Sequence, residues 1–127
     1  MEVPTLNANL NAILENIETR RSVRAFTEEP VLRADLEQIA RAALWAPSAR
    51  GRQSWQFTVV CNREKIAELA AAIADQQGRD PNQYTMYRPA ALILASNHRD
   101  NEHGLADCSC ALQNMFLAAH SLGLGSV

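Results

Sequence analysis

Hydrophobic and polar positions divide this chain into segments with two different periods. From Leu10 the apolar residues Leu10, Ile13, Leu14 and Ile17 recur at helical spacing, with Asn7 or Asn9 placed to cap the start. A second helix is predicted over residues 33–45, with Leu32, Leu36, Ile39, Ala40 and Ala43 forming one apolar stripe. Asp35 and Glu37 sit early in it, where acidic groups suit the helix dipole, and Pro47 ends it. Residues 55–61, Trp-Gln-Phe-Thr-Val-Val-Cys, are rich in aromatic and β-branched side chains and predict a strand. Asn62 is a cap for a third helix over 64–77, with Ile66, Leu69, Ala70, Ile73 and Ala74 on one face. The polar stretch 78–88 predicts a loop, and the continuous apolar run 90–95 a buried strand. The last helix, 105–122, carries Leu105, Cys108, Leu112, Met115, Phe116 and Ala119 along one stripe, widened by Ala111, Ala118 and Leu122. So broad a face suits a central helix or a subunit interface, and Gly123 fits a left-handed cap behind it.

The predicted order is helix, turn, helix, strand, helix, strand, helix, which is an α/β (α+β) arrangement. Two strands make a poor sheet. More strands are expected after Val127 or from another chain. With 127 residues, a single domain spanning 1–127 is expected. A net charge of −2 excludes the broad basic field of a nucleic-acid binder, so arginine clusters must be local features. No apolar run is long enough for a membrane span, and the start of the chain lacks a charged-then-apolar leader. Three cysteines without scaffold spacing point to reduced thiols and a cytoplasmic protein.

One such arginine cluster is Arg20-Arg21-Ser22-Val23-Arg24-Ala25-Phe26. If it runs extended, Arg20, Ser22 and Arg24 face one way and Arg21 the other. Two guanidinium forks flanking a hydroxyl suit a phosphate dianion, because arginine presents paired donors to oxyanions. A solvated basic turn is the alternative. Downstream lies Ala46-Pro47-Ser48-Ala49-Arg50-Gly51-Arg52-Gln53-Ser54-Trp55, and the last helix runs into Ser121-Leu122-Gly123-Leu124-Gly125.

Taken in order, Arg-Arg-Ser-Val-Arg-x-Phe, a helix ending in Ala-Pro-Ser, a loop closing on Gln-x-Trp-x-Phe and the Gly-Leu-Gly segment resemble the nitroreductase family of FMN-dependent oxidoreductases. The resemblance covers most of the chain. It implies a central sheet flanked by helices in an intertwined homodimer, of which this chain carries the first part of the sheet. It implies FMN as cofactor, NAD(P)H as reductant, and small electron-poor acceptors such as nitroaromatics and quinones, reduced by ping-pong hydride transfer. Position by position it places Arg20, Ser22 and Arg24 on the phosphate or ribityl chain, with Arg21 between them. Pro47, Ser48 and Ala49, with Gly51 and Gln53 after them, match a loop that contacts the flavin held by the other subunit. The flavin carries the chemistry, so no catalytic side chain is expected.

Three departures from the family pattern stand out. Gly51 replaces the usual asparagine, leaving only backbone to approach a ligand. Ser54 replaces the usual proline and is expected to loosen the turn. The family's further sheet and its carboxy-terminal basic residue have no counterpart before Val127. A non-catalytic flavin-binding or interaction protein is therefore the alternative. His98, His103, Cys108 and Cys110 form no recognised metal spacing, and the two cysteines point to different helix faces. Trp45 and Trp55 are expected as core or interface anchors. Arg50 and Arg52 are expected in a solvated loop, and Tyr84 and Tyr87 are candidates for a substrate entrance.

Overall fold

The computed structural model describes residues 8–127, so the candidate cap Asn7 lies outside the described residues. Its elements are α1 (Ala8–Thr19), α2 (Arg33–Leu44), a 3₁₀ turn (Ala49–Gly51), β1 (Trp55–Val60), α3 (Arg63–Gln76), β2 (Leu92–Asn97) and α4 (Gly104–Ser121). Asn9 lies inside α1, so it is not the residue that caps it. The two strands form one antiparallel sheet, in register from Trp55 opposite Asn97 to Val60 opposite Leu92. This is an α+β architecture.

The core lies where α2 crosses α4 and the sheet closes over both. Ile39, Ala43 and Ala46 meet Ala111, Met115 and Ala119, and Trp55, Phe57 and Ile93 cover them from the sheet. Side chains on β1 and β2 alternate between faces, so Trp55, Phe57, Ile93, Ala95 and Asn97 share the core-facing side. Trp55 and Phe57 pack with ring centroids 5.9 Å apart.

Helix ends follow their expected chemistry, with exceptions. The Asn62 side chain accepts from the Lys65 N–H at 3.0 Å and caps α3. Behind α4, Gly123 takes φ 77°, with Leu124 N–H reaching Ala119 O and Gly123 N–H reaching His120 O. That pair of bonds is a Schellman motif, and it turns the chain sharply off the helix. Leu32, expected on the buried stripe of α2, is instead 68% exposed as its N-terminal flanking residue.

Other apolar expectations also need correcting. Leu105 is 86% exposed: the buried stripe of α4 runs through Gly104, Cys108, Ala111, Met115 and Ala119, and Leu105 lies on its flank in the first turn of the helix. β2 starts and ends two residues later than the apolar run, since Ser96 and Asn97 pair with Gln56 and Trp55. It is only half-buried, with Leu94 exposed. Trp55 joins the core as expected, whereas Trp45 is 84% exposed.

Candidate functional site

The arginine turn begins where α1 ends against the last turns of α4. Asn16 Nδ2 donates to Leu117 O at 3.0 Å. Thr19 Oγ1 donates its single proton to Glu15 O at 2.6 Å, so the 2.9 Å contact with His120 Nε2 requires the ring to be the donor. Arg20 is half-buried, its guanidinium 5.4 Å from the centroid of the Phe116 ring. Arg21 does something different. Its Nη1 donates to Glu18 O at 2.7 Å and to Arg20 O at 2.8 Å, occupying carbonyls that the end of α1 leaves unpaired.

Beyond Arg21 the chain joins the segment after α4. Ser22 and Ser126 form an isolated parallel bridge, and Val23 N–H donates to Ser126 O at 3.0 Å. Gly125 permits the approach: a Cβ there would lie 2.9 Å from Val23 Cβ. The first and third sequence motifs, a hundred residues apart, are thus zipped together. Ser22 and Arg24 are exposed. Among the described residues, no carboxylate pairs with Arg20, Arg21 or Arg24.

The second motif is built around a buried carboxylate that periodicity did not single out. Asp107, 5% exposed, accepts Ala49 N–H on Oδ1 at 2.9 Å and Asn101 Nδ2 on Oδ2 at 3.0 Å. Asn101 is 8% exposed and donates from the same nitrogen to Ser54 Oγ at 2.9 Å. Ser54 Oγ in turn donates to Asn97 Oδ1 at 2.8 Å. Far from loosening the turn, Ser54 ties its exit to β2. The signal available in the sequence was an aspartate one position from the buried stripe of α4, among apolar neighbours.

Within the 47–53 loop, Ser48 Oγ accepts Gln53 N–H at 3.1 Å and Ser48 O accepts Gly51 N–H at 2.9 Å. Arg50, Gly51 and Gln53 all have left-handed backbone, with φ of 57°, 62° and 48°. Gly51 serves that conformation; no atom lies within 4 Å of where its Cβ would be, so close approach by its own chain is not its purpose. Pro47, Arg50, Gly51, Arg52 and Gln53 are exposed, and Ser48 and Ala49 half-buried.

The structure does not bring the two motifs together in one chain. The loop is anchored at Asp107, and the arginine turn packs at Phe116 to His120. At 1.5 Å per residue these anchors lie about 14–20 Å apart along α4. Of the remaining expectations, Tyr84 and Tyr87 line a groove of about 680 Å³ with Phe26, Arg63 and Arg88. Cys108 is buried and Cys110 exposed, on different faces as expected. Among the described residues, no three histidine, cysteine or acidic side chains converge as a metal site. No described helix is long and apolar enough to cross a membrane.

Known proteins resemble this arrangement. The sequence profile of the nitroreductase family matches residues 17–127. A protein of Archaeoglobus fulgidus, provisionally named NADH dehydrogenase/NAD(P)H nitroreductase, is 36% identical over 118 residues, covering 90% of this chain and 64% of that protein. Its namesake in Methanothermobacter thermautotrophicus is 38% identical over 91% of this chain and 59% of its own length. The chain thus spans about three fifths of these relatives. In structure, the Bacteroides fragilis nitroreductase with bound FMN superposes with a TM-score of 0.79 at 35% identity, over 87% of this chain and 65% of that one.

Proposed function

The chain belongs to the nitroreductase family, and from that premise we propose that it acts as an FMN-dependent oxidoreductase. Electrons pass from NAD(P)H to small electron-poor acceptors such as nitroaromatics and quinones, in two successive half-reactions. The observation that supports this best is the arginine turn itself, joined to the Gly-Leu-Gly segment through Val23 and Ser126. Its cationic groups face no carboxylate partner among the described residues. Two guanidinium groups beside a hydroxyl are the donor set a phosphate dianion requires, so these residues fit the phosphate end of FMN. When bound, FMN supplies the hydride chemistry, and the chain's own residues bind it, orient it and exclude water.

In this proposal Arg20, Ser22 and Arg24 hold the phosphate or ribityl chain. Arg21 acts indirectly, by fixing the end of α1. Pro47, Ser48, Ala49, Gly51 and Gln53 meet the flavin held mainly by a second copy of the chain. In this reading a dimer is what joins the two motifs, because they sit at opposite ends of α4 within one protomer. We take residues 1–127 as one domain, working in the cytoplasm with its thiols reduced.

A visible spectrum of the purified protein tests this directly. It should be yellow or take up added FMN, and anaerobic NADH or NADPH should bleach it. A colourless protein that refuses FMN would overturn the proposal. Gly51, which removes an amide side chain from the loop, favours one second reading: flavin binding without turnover. Flavin uptake with no bleaching by either nucleotide would select that reading.

A further inference from the structure

We propose that Asp107 is a positioning residue whose buried carboxylate clamps the 47–53 loop into its ligand-meeting shape. The inference rests on the reading above, in which that loop contacts FMN. Burying a carboxylate is unfavourable unless hydrogen bonds replace its water. Here each oxygen of Asp107 receives one neutral donor, Ala49 N–H or Asn101 Nδ2, and among the described residues no cation pairs with it. An apolar side chain beside Cys108 and Ala111 would serve packing at least as well. What the carboxylate adds is a fixed position for Ala49.

The loop needs such a restraint. Arg50 and Gln53 hold left-handed backbone that non-glycine residues avoid, and Gly51 lies between them. Conformations of this kind persist only when their surroundings over-determine them. Asp107 holds the entry of the loop at Ala49. Asn101 spends one amide proton on Asp107 Oδ2 and the other on Ser54 Oγ, which holds the exit. Its Oδ1 accepts the His103 N–H at 3.0 Å, so the bridging amide is itself fixed. Entry, Asp107, Asn101 and exit close a ring of hydrogen bonds around residues 49–54.

Two single variants and their double test the clamp. Asp107→Asn keeps the shape but offers one acceptor to two donors, so its NH₂ is set against either the Ala49 N–H or the Asn101 amide. Ala49→Pro deletes the N–H and sets its ring Cδ where that proton pointed, pushing the Asp107 carboxylate off the loop entry, and Ser48 already has the extended backbone, φ −135° and ψ 149°, that a following proline demands. Each single variant should weaken FMN binding about tenfold, the scale of one hydrogen bond to a charged group. The double variant should bind no worse than the weaker single, whereas Asp107→Asn combined with Arg24→Ala should show the product of both effects. In the FMN-free protein, Asp107→Asn should speed amide exchange at residues 50–53 and leave Ile39 and Met115 unchanged. Wild-type FMN affinity with unchanged loop exchange would overturn the proposal, as would independent effects of the Ala49 and Asp107 changes. If Asp107→Asn does not fold, Ala49→Pro and Ser54→Ala carry the same expectation and the same refutation. A wild-type protein that takes up no FMN would refute the flavin assignment, while loop exchange would still test the clamp.

Discussion

Arg20 and Arg21 are neighbours in sequence and differ in what they touch. Arg20 lies over Phe116 with no carboxylate partner among the described residues, and Arg21 returns to the carbonyls at the end of α1. Their alanine variants should therefore separate. Arg20→Ala removes a charged donor worth roughly 1.5–3 kcal/mol, so FMN affinity should fall by about one to two decades. Arg21→Ala should leave that affinity within a few-fold and instead lower stability by about 0.3–1 kcal/mol, the usual worth of a cation at a helix carboxyl end. Fluorescence titration with FMN and thermal melting of the same two proteins check both outcomes. Gly125 offers a third test at this scale. A methyl there would meet Val23 at 2.9 Å, and the backbones bridged at Ser22 and Ser126 would have to part. Gly125→Ala should cost about 1–3 kcal/mol of stability, as overpacking commonly does, and weaken FMN binding by displacing the arginine turn.

At the scale of elements, what could be read from the sequence depended on how local its cause was. The Asn62 cap and the Gly123 stop were legible because each is fixed by residues within one turn. Asn62→Ala should accordingly lower the melting temperature by a few degrees, since an N-cap is worth about 1 kcal/mol. The helices and both strands were also legible, because period alone separates them. Asp107 was passed over for the opposite reason. Its partners are Ala49, 58 residues away, and Asn101, itself tied to Ser54, which no helical period encodes. Ser54 was misjudged in the same way. As a substitute for proline it reads as slack, and only the nearness of Asn97 and Asn101 makes it a tie. The arginine turn was found by its residue types. Its attachment to Ser126 needed the fold, because it joins the two ends of the described chain.

Several large apolar side chains of the described residues lie uncovered. Ile13, Leu14 and Ile17 on α1 are each about half exposed, and Leu44, Trp45 and Leu105 are exposed towards the loop end of α4. The first three are the residues whose helical spacing defines the apolar stripe of α1. Within this chain, α1 is tied to α4 by Asn16, Thr19 and Arg20, all of them polar contacts or cation–ring contacts. A second copy covering the α1 stripe would bury what the protomer leaves open, and in the function proposed above it is a second copy whose 47–53 loop meets the arginine turn. Assembly and FMN binding should then fail together. Leu14→Glu with Ile17→Glu would place two carboxylates in the proposed interface, and an uncompensated buried charge costs about 3–5 kcal/mol. Sedimentation at micromolar concentration should show a dimer for the wild type and a monomer for the double variant, with FMN affinity lost in the monomer. A folded monomer that still binds FMN as tightly as the wild type would place the whole flavin site within one chain and remove the loop from it.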